Sequence, residues 1–235
     1  MRNNQSFAGK KPSYLRVIIR IYFFIFVLLG VIFASAGRLS YWQGWLLGVV
    51  FLAIVIVFSF VFANKRDVIF ERVRPGPGTK WWDKIFYALY IPGSLSVFVV
   101  SALDGGRFRW SPLLPVTLYV ISILVLIFSH LFILWCMWTN KFFSSTVRIQ
   151  ADRGHQVIED GPYRFVRHPG YLAAIFWFIS ASLVLGSVYG LIPVTVVIVL
   201  FFIRTYLEDI TLQKELSGYC DYAKKVPFRL IPYLW

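Results

Sequence analysis

The sequence predicts an all-α protein, a polytopic membrane helical bundle with about six transmembrane helices. Of its 235 residues, 58% are hydrophobic and only 15% are charged, whereas a soluble domain carries about 25% charged residues. Uncharged apolar runs long enough to cross a bilayer as a helix recur along the chain. We therefore expect a protein whose solvent is largely lipid.

Four uncharged runs, each bounded by ionisable residues, predict the first four spans. They are residues 21–37, 39–64, 85–103 and 110–140. A fifth uncharged run, residues 168–203, is too long for one crossing but fits two crossings of about 18 residues. A break near residues 186–190 then makes this run a helical hairpin. We expect N-terminal transmembrane helices in residues 1–140, and the hairpin with its flanking loop and tail in residues 141–235.

The basic residues predict the orientation of the bundle. With both termini in the cytoplasm, 21 of the 24 Lys and Arg residues are cytoplasmic, and the outer loops hold only Arg38, Arg107 and Arg109. Positive residues concentrate in cytoplasmic loops, so this topology is favoured, in a bacterial inner membrane or the endoplasmic reticulum. Because the basic residues form no single patch, the net charge of +13 does not indicate nucleic-acid binding.

The loop before the hairpin holds the densest group of ionisable and turn-forming residues. Residues 161–171 read G-P-Y-R-F-V-R-H-P-G-Y. Polar groups at a membrane boundary cost free energy unless something uses them. Prolines stiffen this loop, and Gly161 and Gly170 allow close backbone approach. Such a loop suits a polar cofactor, although a rigid juxtamembrane turn explains the same residues equally well.

A second group of polar residues follows the hairpin. Arg204, Glu208, Leu212 and Glu215 recur at helical spacing and form one stripe. The last span is therefore expected to continue beyond the membrane with Arg204 and Glu208 on one face. A surface ion pair worth a few tenths of a kcal/mol is the alternative. Arg204, however, is the first charge after a long uncharged run, which places it at the membrane boundary facing the loop of His168.

The remaining candidate residues predict no metal centre. Cys136 and Cys220 are far apart, and the spacing of cysteines and histidines supports neither a zinc site nor a disulfide framework. His130 lies in the middle of a predicted span, where a hydrogen-bonded packing role is favoured over proton relay.

Taken in order, the motifs of residues 141–235 resemble isoprenylcysteine carboxyl methyltransferases and their prokaryotic relatives, and phospholipid N-methyltransferases share much of the pattern. Residues 1–140 match only in being hydrophobic spans. The pattern is His155-x-Val157, Gly161-x-Tyr163, Arg167-His168-Pro169-x-Tyr171, an apolar hairpin, Arg204-x-x-x-Glu208-Asp209 and Gly218-Tyr-x-x-Tyr222. The paired glutamates of the family appear here as Glu208-Asp209.

The resemblance implies a methyltransferase that uses S-adenosyl-L-methionine, bound between the loop and the helix after the hairpin. Arg204 would bind the methyl acceptor, and Arg204 and Glu208 are the candidate catalytic residues. The implied cofactor-binding residues are Gln150, His155, Gln156, Val157, Ile158, Tyr163, His168, Pro169, Gly170, Tyr171 and Glu208.

The methyl acceptor is expected to be a lipophilic small molecule or a lipid, with its tail between the spans. Positioning supplies much of the rate of a methyl transfer. A carboxylate acceptor, as in an isoprenylcysteine-like molecule, needs no base but needs a cation, which Arg204 would provide. An amine or thiol acceptor would need a proton acceptor, for which Glu208 or His168 are candidates. The carboxylate is the favoured acceptor.

Two other functions remain open from the sequence. An NADPH-dependent membrane reductase of the sterol-reductase type shares some of the tail pattern, in Tyr219-Cys220 and residues 226–232, but such enzymes resemble a longer chain. A transporter or scaffold would need ionisable residues within the spans, and apart from His130 the predicted spans have none.

Overall fold

The computed structural model describes residues 13–73 and 77–235, and within these residues the regular structure is helical, with no strand. The all-α prediction is thereby confirmed. The helices are α1 (Tyr14–Ala36), α2 (Trp42–Val61), α3 (Arg66–Val73), α4 (Trp81–Ala102), α5 (Val116–Thr139), α6 (Pro169–Val184), α7 (Leu191–Glu215) and α8 (Tyr219–Lys225).

Five of the described helices, α1, α2, α4, α5 and α7, are long and apolar enough to cross a membrane. Helix α6 is apolar but has only 16 residues, or about 24 Å at 1.5 Å per residue, against a hydrocarbon core of about 30 Å. The long run 168–203 is therefore divided unequally. Helix α6 ends before Gly186, whose φ is +72°, whereas α7 continues to Glu215. The polytopic bundle is confirmed, with one short apolar helix among the six expected.

Local capping explains where α1 differs from the apolar run that predicted it. The side chain of Ser13 accepts a hydrogen bond from the N–H of Arg16, which caps the helix. The helix therefore begins at Tyr14, seven residues before the uncharged run 21–37 begins. The left-handed conformation of Gly37 ends the helix near its predicted end.

Helices α5, α6 and α7 pack side by side, and α4 packs along α7. His130 of α5 accepts a hydrogen bond at Nδ1 from Nε1 of Trp177 in α6, at 3.0 Å. The ring of Trp177 also stacks on Phe51 of α2, with 5.5 Å between ring centroids. The predicted packing role of His130 is confirmed, since its imidazole joins two helices of the core.

A closed cluster of polar groups joins the end of α4 to the turn between α6 and α7. Helix α4 continues as a π-helical turn, Leu103–Phe108, in which the carboxylate of Asp104 is fully buried. It accepts hydrogen bonds from the N–H and hydroxyl of Ser111 at 2.7 and 2.5 Å, from the Ser187 hydroxyl at 2.6 Å and from the Tyr189 N–H at 3.3 Å. The closed cluster thus ties down the hairpin turn with its charge fully solvated by donors.

Candidate functional site

A cavity of about 340 Å³ lies at the opposite end of the bundle, where α5 ends and α6 begins. Its volume is in the range of small-molecule sites, about 300–1,000 Å³. All twelve residues that the motifs marked as site residues line it. They are Gln150, His155, Gln156, Val157, Ile158, Tyr163, His168, Pro169, Gly170, Tyr171, Arg204 and Glu208. The expected meeting of the loop with the helix after the hairpin is observed, and the ligand-binding roles of these residues stay predictions.

Asp209 holds His168 in the wall of this cavity. The Nε2 atom of His168 is 3.5 Å from Oδ1 of the fully buried Asp209 carboxylate. The same carboxylate accepts hydrogen bonds from Arg167, Tyr219 and Arg229 at 2.7 to 3.0 Å. Asp209 therefore stabilises the loop from behind and is not a wall residue, whereas its neighbour in sequence, Glu208, lines the cavity.

The C-terminal tail fixes the loop through its backbone. The N–H groups of Arg167 and His168 donate to the carbonyl oxygens of Phe228 and Arg229, at 3.0 and 2.9 Å. The hydroxyl of Tyr222 donates to the carbonyl oxygen of Tyr163 at 2.7 Å. The tail thus packs directly against the loop.

The segment between α5 and residue 158 is ordered around Gln150. The side chain of Gln150 is almost completely buried, and its amide nitrogen donates to the Phe142 carbonyl oxygen at 2.7 Å. Its backbone N–H donates to Nδ1 of His155 at 3.2 Å. Burial lowers the pKa of His155 to about 4, so the imidazole is neutral near pH 7 and can accept this hydrogen bond.

Beyond His155 the loop presents unpaired peptide groups. Among the described residues, no hydrogen bond involves the backbone of Gln156, Val157 or Ile158. Buried peptide groups are nearly always paired, so these three residues offer donors and acceptors to water or to a ligand. Nearby, burial raises the pKa of Tyr163, whose hydroxyl donates to the Cys136 carbonyl oxygen at 3.4 Å.

Tyr171 connects the two sides of the cavity. Its ring lies parallel to that of His168, with centroids 5.8 Å apart, and it stacks on Phe201 at 5.5 Å. Its hydroxyl donates to Oε2 of Glu208 at 2.5 Å. The loop imidazole and the α7 carboxylate are therefore joined through one tyrosine.

Arg204 is buried at the other side of the cavity, and residues of α4 surround it. One of its terminal nitrogens, Nη2, donates to the Ser145 carbonyl oxygen at 2.6 Å and lies 3.0 Å from the carboxylate of Asp83. Its guanidinium carbon is 4.3 Å from the ring centroid of Phe86 and 5.0 Å from that of Tyr87. The arginine is thus neutralised by a buried acid and enclosed by aromatic rings.

Sequence reasoning missed the contribution of α3 and α4 to this site. Arg72, Tyr87 and Tyr90 line the cavity, although residues 1–140 were predicted only to span the membrane. One available signal was Asp83, an acid beside a tryptophan pair at a membrane boundary, which needs a cationic partner when buried.

Comparison with known proteins identifies relatives of the region that builds the cavity. Residues 121–214 match the isoprenylcysteine carboxyl methyltransferase family. A probable protein-S-isoprenylcysteine O-methyltransferase of Oryza sativa subsp. indica is 27% identical over 110 residues, covering 46% of this chain and 58% of that protein. The protein-S-isoprenylcysteine O-methyltransferase of Rattus norvegicus is 28% identical over 147 residues, covering 59% of this chain and 49% of that protein.

The chain spans about half the length of the curated relatives it matches. The family match begins within α5, earlier than the motifs indicated, and ends at residue 214, before the tail. The resemblance predicted from the motifs is thereby confirmed, and over residues 121–214 this protein is similar to the isoprenylcysteine carboxyl methyltransferase family.

Proposed function

We propose that this membrane protein is an S-adenosyl-L-methionine-dependent methyltransferase that methylates the carboxylate of a lipophilic, isoprenylcysteine-like acceptor. One observation carries the proposal, namely that every residue implied by the motifs lines a single cavity. The cavity has polar loop residues on one side and an arginine beside aromatic residues on the other. The similarity of residues 121–214 to the methyltransferase family supports the same function.

The residues of the loop side fit the chemistry of this cofactor. When bound, S-adenosyl-L-methionine supplies an electrophilic methyl group on a positively charged sulfur. The free peptide groups of residues 156–158 suit the polar edges of a nucleoside or an amino acid. The carboxylate of Glu208, held by Tyr171, offers a negative charge to a cationic ligand. Because Gly170 has no side chain, the ring of Phe143 can pack close to its backbone, at 3.0 Å from where a Cβ would be.

The other side of the cavity fits the head of an acidic, apolar acceptor. Tyr90, Ala174 and Phe201 form a mostly apolar wall beside Arg204, where a hydrocarbon tail can leave water. Arg204 and Arg72 both line this cavity, and their positive charges favour an ionised carboxylate over a neutral head group. An ionised carboxylate is already nucleophilic, so the protein needs to orient it and exclude water, and it needs no proton acceptor.

The distribution of basic residues supports a cytoplasmic location for both termini and for the cavity. The water-soluble cofactor would then enter from the cytoplasm, while the acceptor tail lies among the helices and the membrane lipids around them. The source membrane is proposed to be a bacterial inner membrane or the endoplasmic reticulum.

The function is tested with detergent-purified protein by calorimetric binding of S-adenosylhomocysteine and by transfer of tritiated methyl groups to N-acetyl-S-farnesylcysteine. We expect binding and transfer by the unsubstituted protein, and loss of transfer in Arg204→Ala and Glu208→Gln. Arg164→Gln, a change of an exposed arginine that does not line the cavity, is the control and should remain active.

Three outcomes would overturn the proposed function. The first is binding of NADPH in place of S-adenosylhomocysteine, which indicates the reductase alternative. The second is the absence of methyl transfer by the unsubstituted protein. The third is full activity in Arg204→Ala and Glu208→Gln together. Because Arg204→Ala leaves the buried Asp83 unpaired and can impair folding, Glu208→Gln decides where the arginine variant is unstable.

A further inference from the structure

Arg72 lines the cavity from the last turn of α3. Its guanidinium carbon is 5.2 Å from the ring centroid of Phe143, another wall residue. It lies within electrostatic range of Arg204 and of the tyrosines at positions 87, 90 and 171. Arg72 therefore lies in the cavity wall with its guanidinium against Phe143.

Packing of α3 determines this position. Val68 and Ile69 are buried in a cluster with residues of α1 and α5. Glu71 pairs with Arg148 at 2.8 Å, and both side chains are nearly inaccessible to water. These contacts fix the last turn of α3, and Arg72 therefore lies beside the cavity.

Among the residues that the structure describes, Arg72 differs from the other arginines of the cavity in having no acidic partner. Four arginines of the described chain line the wall, at positions 72, 148, 167 and 204. Arg148 pairs with Glu71 and Asp152, Arg167 with Asp209, and Arg204 with Asp83. Within the described part of the chain, no carboxylate lies within ion-pair distance of Arg72, which remains accessible.

This charge balance decides which arginine can pair with an anionic acceptor. Arg204 is already balanced by Asp83, and its two terminal nitrogens donate to the Ser145 carbonyl oxygen and the Tyr87 hydroxyl. Glu208 adds a further negative charge to the wall. Like charges at close range are costly, so the positive charge of Arg72 offsets the charge of Glu208 for an incoming carboxylate.

We propose that Arg72 binds the carboxylate of the methyl acceptor and selects an anionic acceptor over a neutral one of the same shape. Arg204, held by Asp83 and the aromatic rings, shapes the pocket around that carboxylate. The inference rests on the proposed function, because it assigns the acceptor-binding cation of the same site. The positive charge of Arg72 favours the anionic acceptor as its ligand over the cofactor, whose reactive sulfur is itself positively charged.

The test compares Arg72→Gln and Arg72→Lys with the control Arg164→Gln, which removes a charge without touching the cavity. Each variant is assayed for transfer to N-acetyl-S-farnesylcysteine, for inhibition by the carboxamide of that compound, and for calorimetric binding of S-adenosylhomocysteine.

We expect Arg72→Gln to raise the acceptor KM by about 10- to 100-fold, the range of a lost charge-assisted pair. The S-adenosylhomocysteine Kd should stay within about twofold, because the inference assigns Arg72 to the acceptor. Arg72→Lys keeps the charge and should recover part of the affinity.

The acid and the carboxamide distinguish binding from a structural role. The unsubstituted protein should bind the acid more tightly than the carboxamide, and Arg72→Gln should lose that preference. An unchanged acceptor KM in Arg72→Gln overturns the inference. A raised S-adenosylhomocysteine Kd with an unchanged acceptor KM also overturns it, since Arg72 then binds the cofactor.

Two further outcomes complete the test. If Arg72→Gln is unstable, the neutral variant Arg72→Met takes its place, and an acid-to-carboxamide preference equal to that of the unsubstituted protein overturns the inference. If the unsubstituted protein transfers no methyl group, both the proposed function and this inference are overturned. Normal transfer with unaffected Arg72 variants overturns the inference alone.

Discussion

The two ends of the helical bundle both bury a carboxylate, but they use it differently. In the closed cluster, Asp104 accepts hydrogen bonds from serine hydroxyls and backbone N–H groups, and the glycines beside it pack directly on neighbouring backbone. At the other end, Asp209 supports a loop whose outer surface borders an open cavity. A carboxylate whose hydrogen bonds are all made by neutral donors, such as Asp104, stabilises a turn. A charged side chain that lines a cavity, such as Glu208, is available to a ligand.

The two ends are distinguished most strongly by Glu208→Gln. We expect this change to lower kcat/KM for methyl transfer by at least about 100-fold, because it removes a charge from the cavity wall. The midpoint of thermal unfolding should change little, because glutamine can still accept the hydrogen bond of Tyr171. Glu215→Gln, a change of a more exposed acid of the same helix, is the control. Activity of Glu208→Gln close to that of the control would contradict the role of this residue.

Asp104→Asn should have the opposite effect: it should lower stability and leave ligand binding unchanged. An amide in the closed cluster places donors against hydroxyl and N–H donors, so we expect the free energy of unfolding to fall by about 3 kcal/mol. The S-adenosylhomocysteine Kd of the folded fraction should be unchanged. Thermal unfolding and calorimetry measure the two quantities, with the exposed Asp221→Asn as control. If Asp104→Asn bound S-adenosylhomocysteine more weakly but unfolded at the same temperature, the two ends of the bundle would not differ in the way described.

A single added methyl group compares the packing at the two ends. In Gly105→Ala the new Cβ would lie 2.2 Å from the Leu185 carbonyl oxygen, which cannot move without shifting the hairpin turn. In Gly170→Ala it would lie 3.0 Å from the ring of Phe143, a side chain in the cavity wall. We expect Gly105→Ala to destabilise the fold by roughly 2 kcal/mol or more. Gly170→Ala should mainly weaken S-adenosylhomocysteine binding, about tenfold. Equal unfolding midpoints for the two variants would contradict this prediction.

The smallest expected effect concerns pH and His155. The pKa of this imidazole is lowered from 6.5 to about 4 by burial, so the unfolded chain takes up the proton at a higher pH than the folded protein. The contribution of His155 to stability is therefore complete above about pH 6.5, is lost as the pH falls toward 4, and does not fall further below that. His155→Asn keeps a hydrogen-bond acceptor without this titration.

Unfolding midpoints at pH 7.5 and pH 5 provide the measurement for His155. The decrease on acidification should be smaller in His155→Asn than in the unsubstituted protein. Equal decreases would contradict the prediction, because they would show that the imidazole takes up its proton over the same pH range in the folded and unfolded states.

Local patterns predicted the helices well because helix formation in an apolar chain depends on nearby residues. The lengths of the uncharged runs predicted the spans, and the break before α7 was visible in residues 186–190. The spacing of Arg204 and Glu208 predicted that α7 continues past its apolar part. The unequal division of the hairpin was not predicted, because the run length alone does not say where α6 ends.

The sequence by itself determined an all-α membrane bundle, because apolar length is a property of neighbouring residues. Its motifs, through their resemblance to a known family, also indicated twelve of the residues that line the cavity. Only the tertiary structure decided which charges are balanced. It placed Asp83 against Arg204, 121 positions apart in the chain, and it turned Asp209 away from the cavity while its neighbour Glu208 lines it. It also placed Arg72 in the cavity wall with no acidic partner among the described residues. Electrostatic energy depends on distance in space and on burial, and neither can be read from the order of residues.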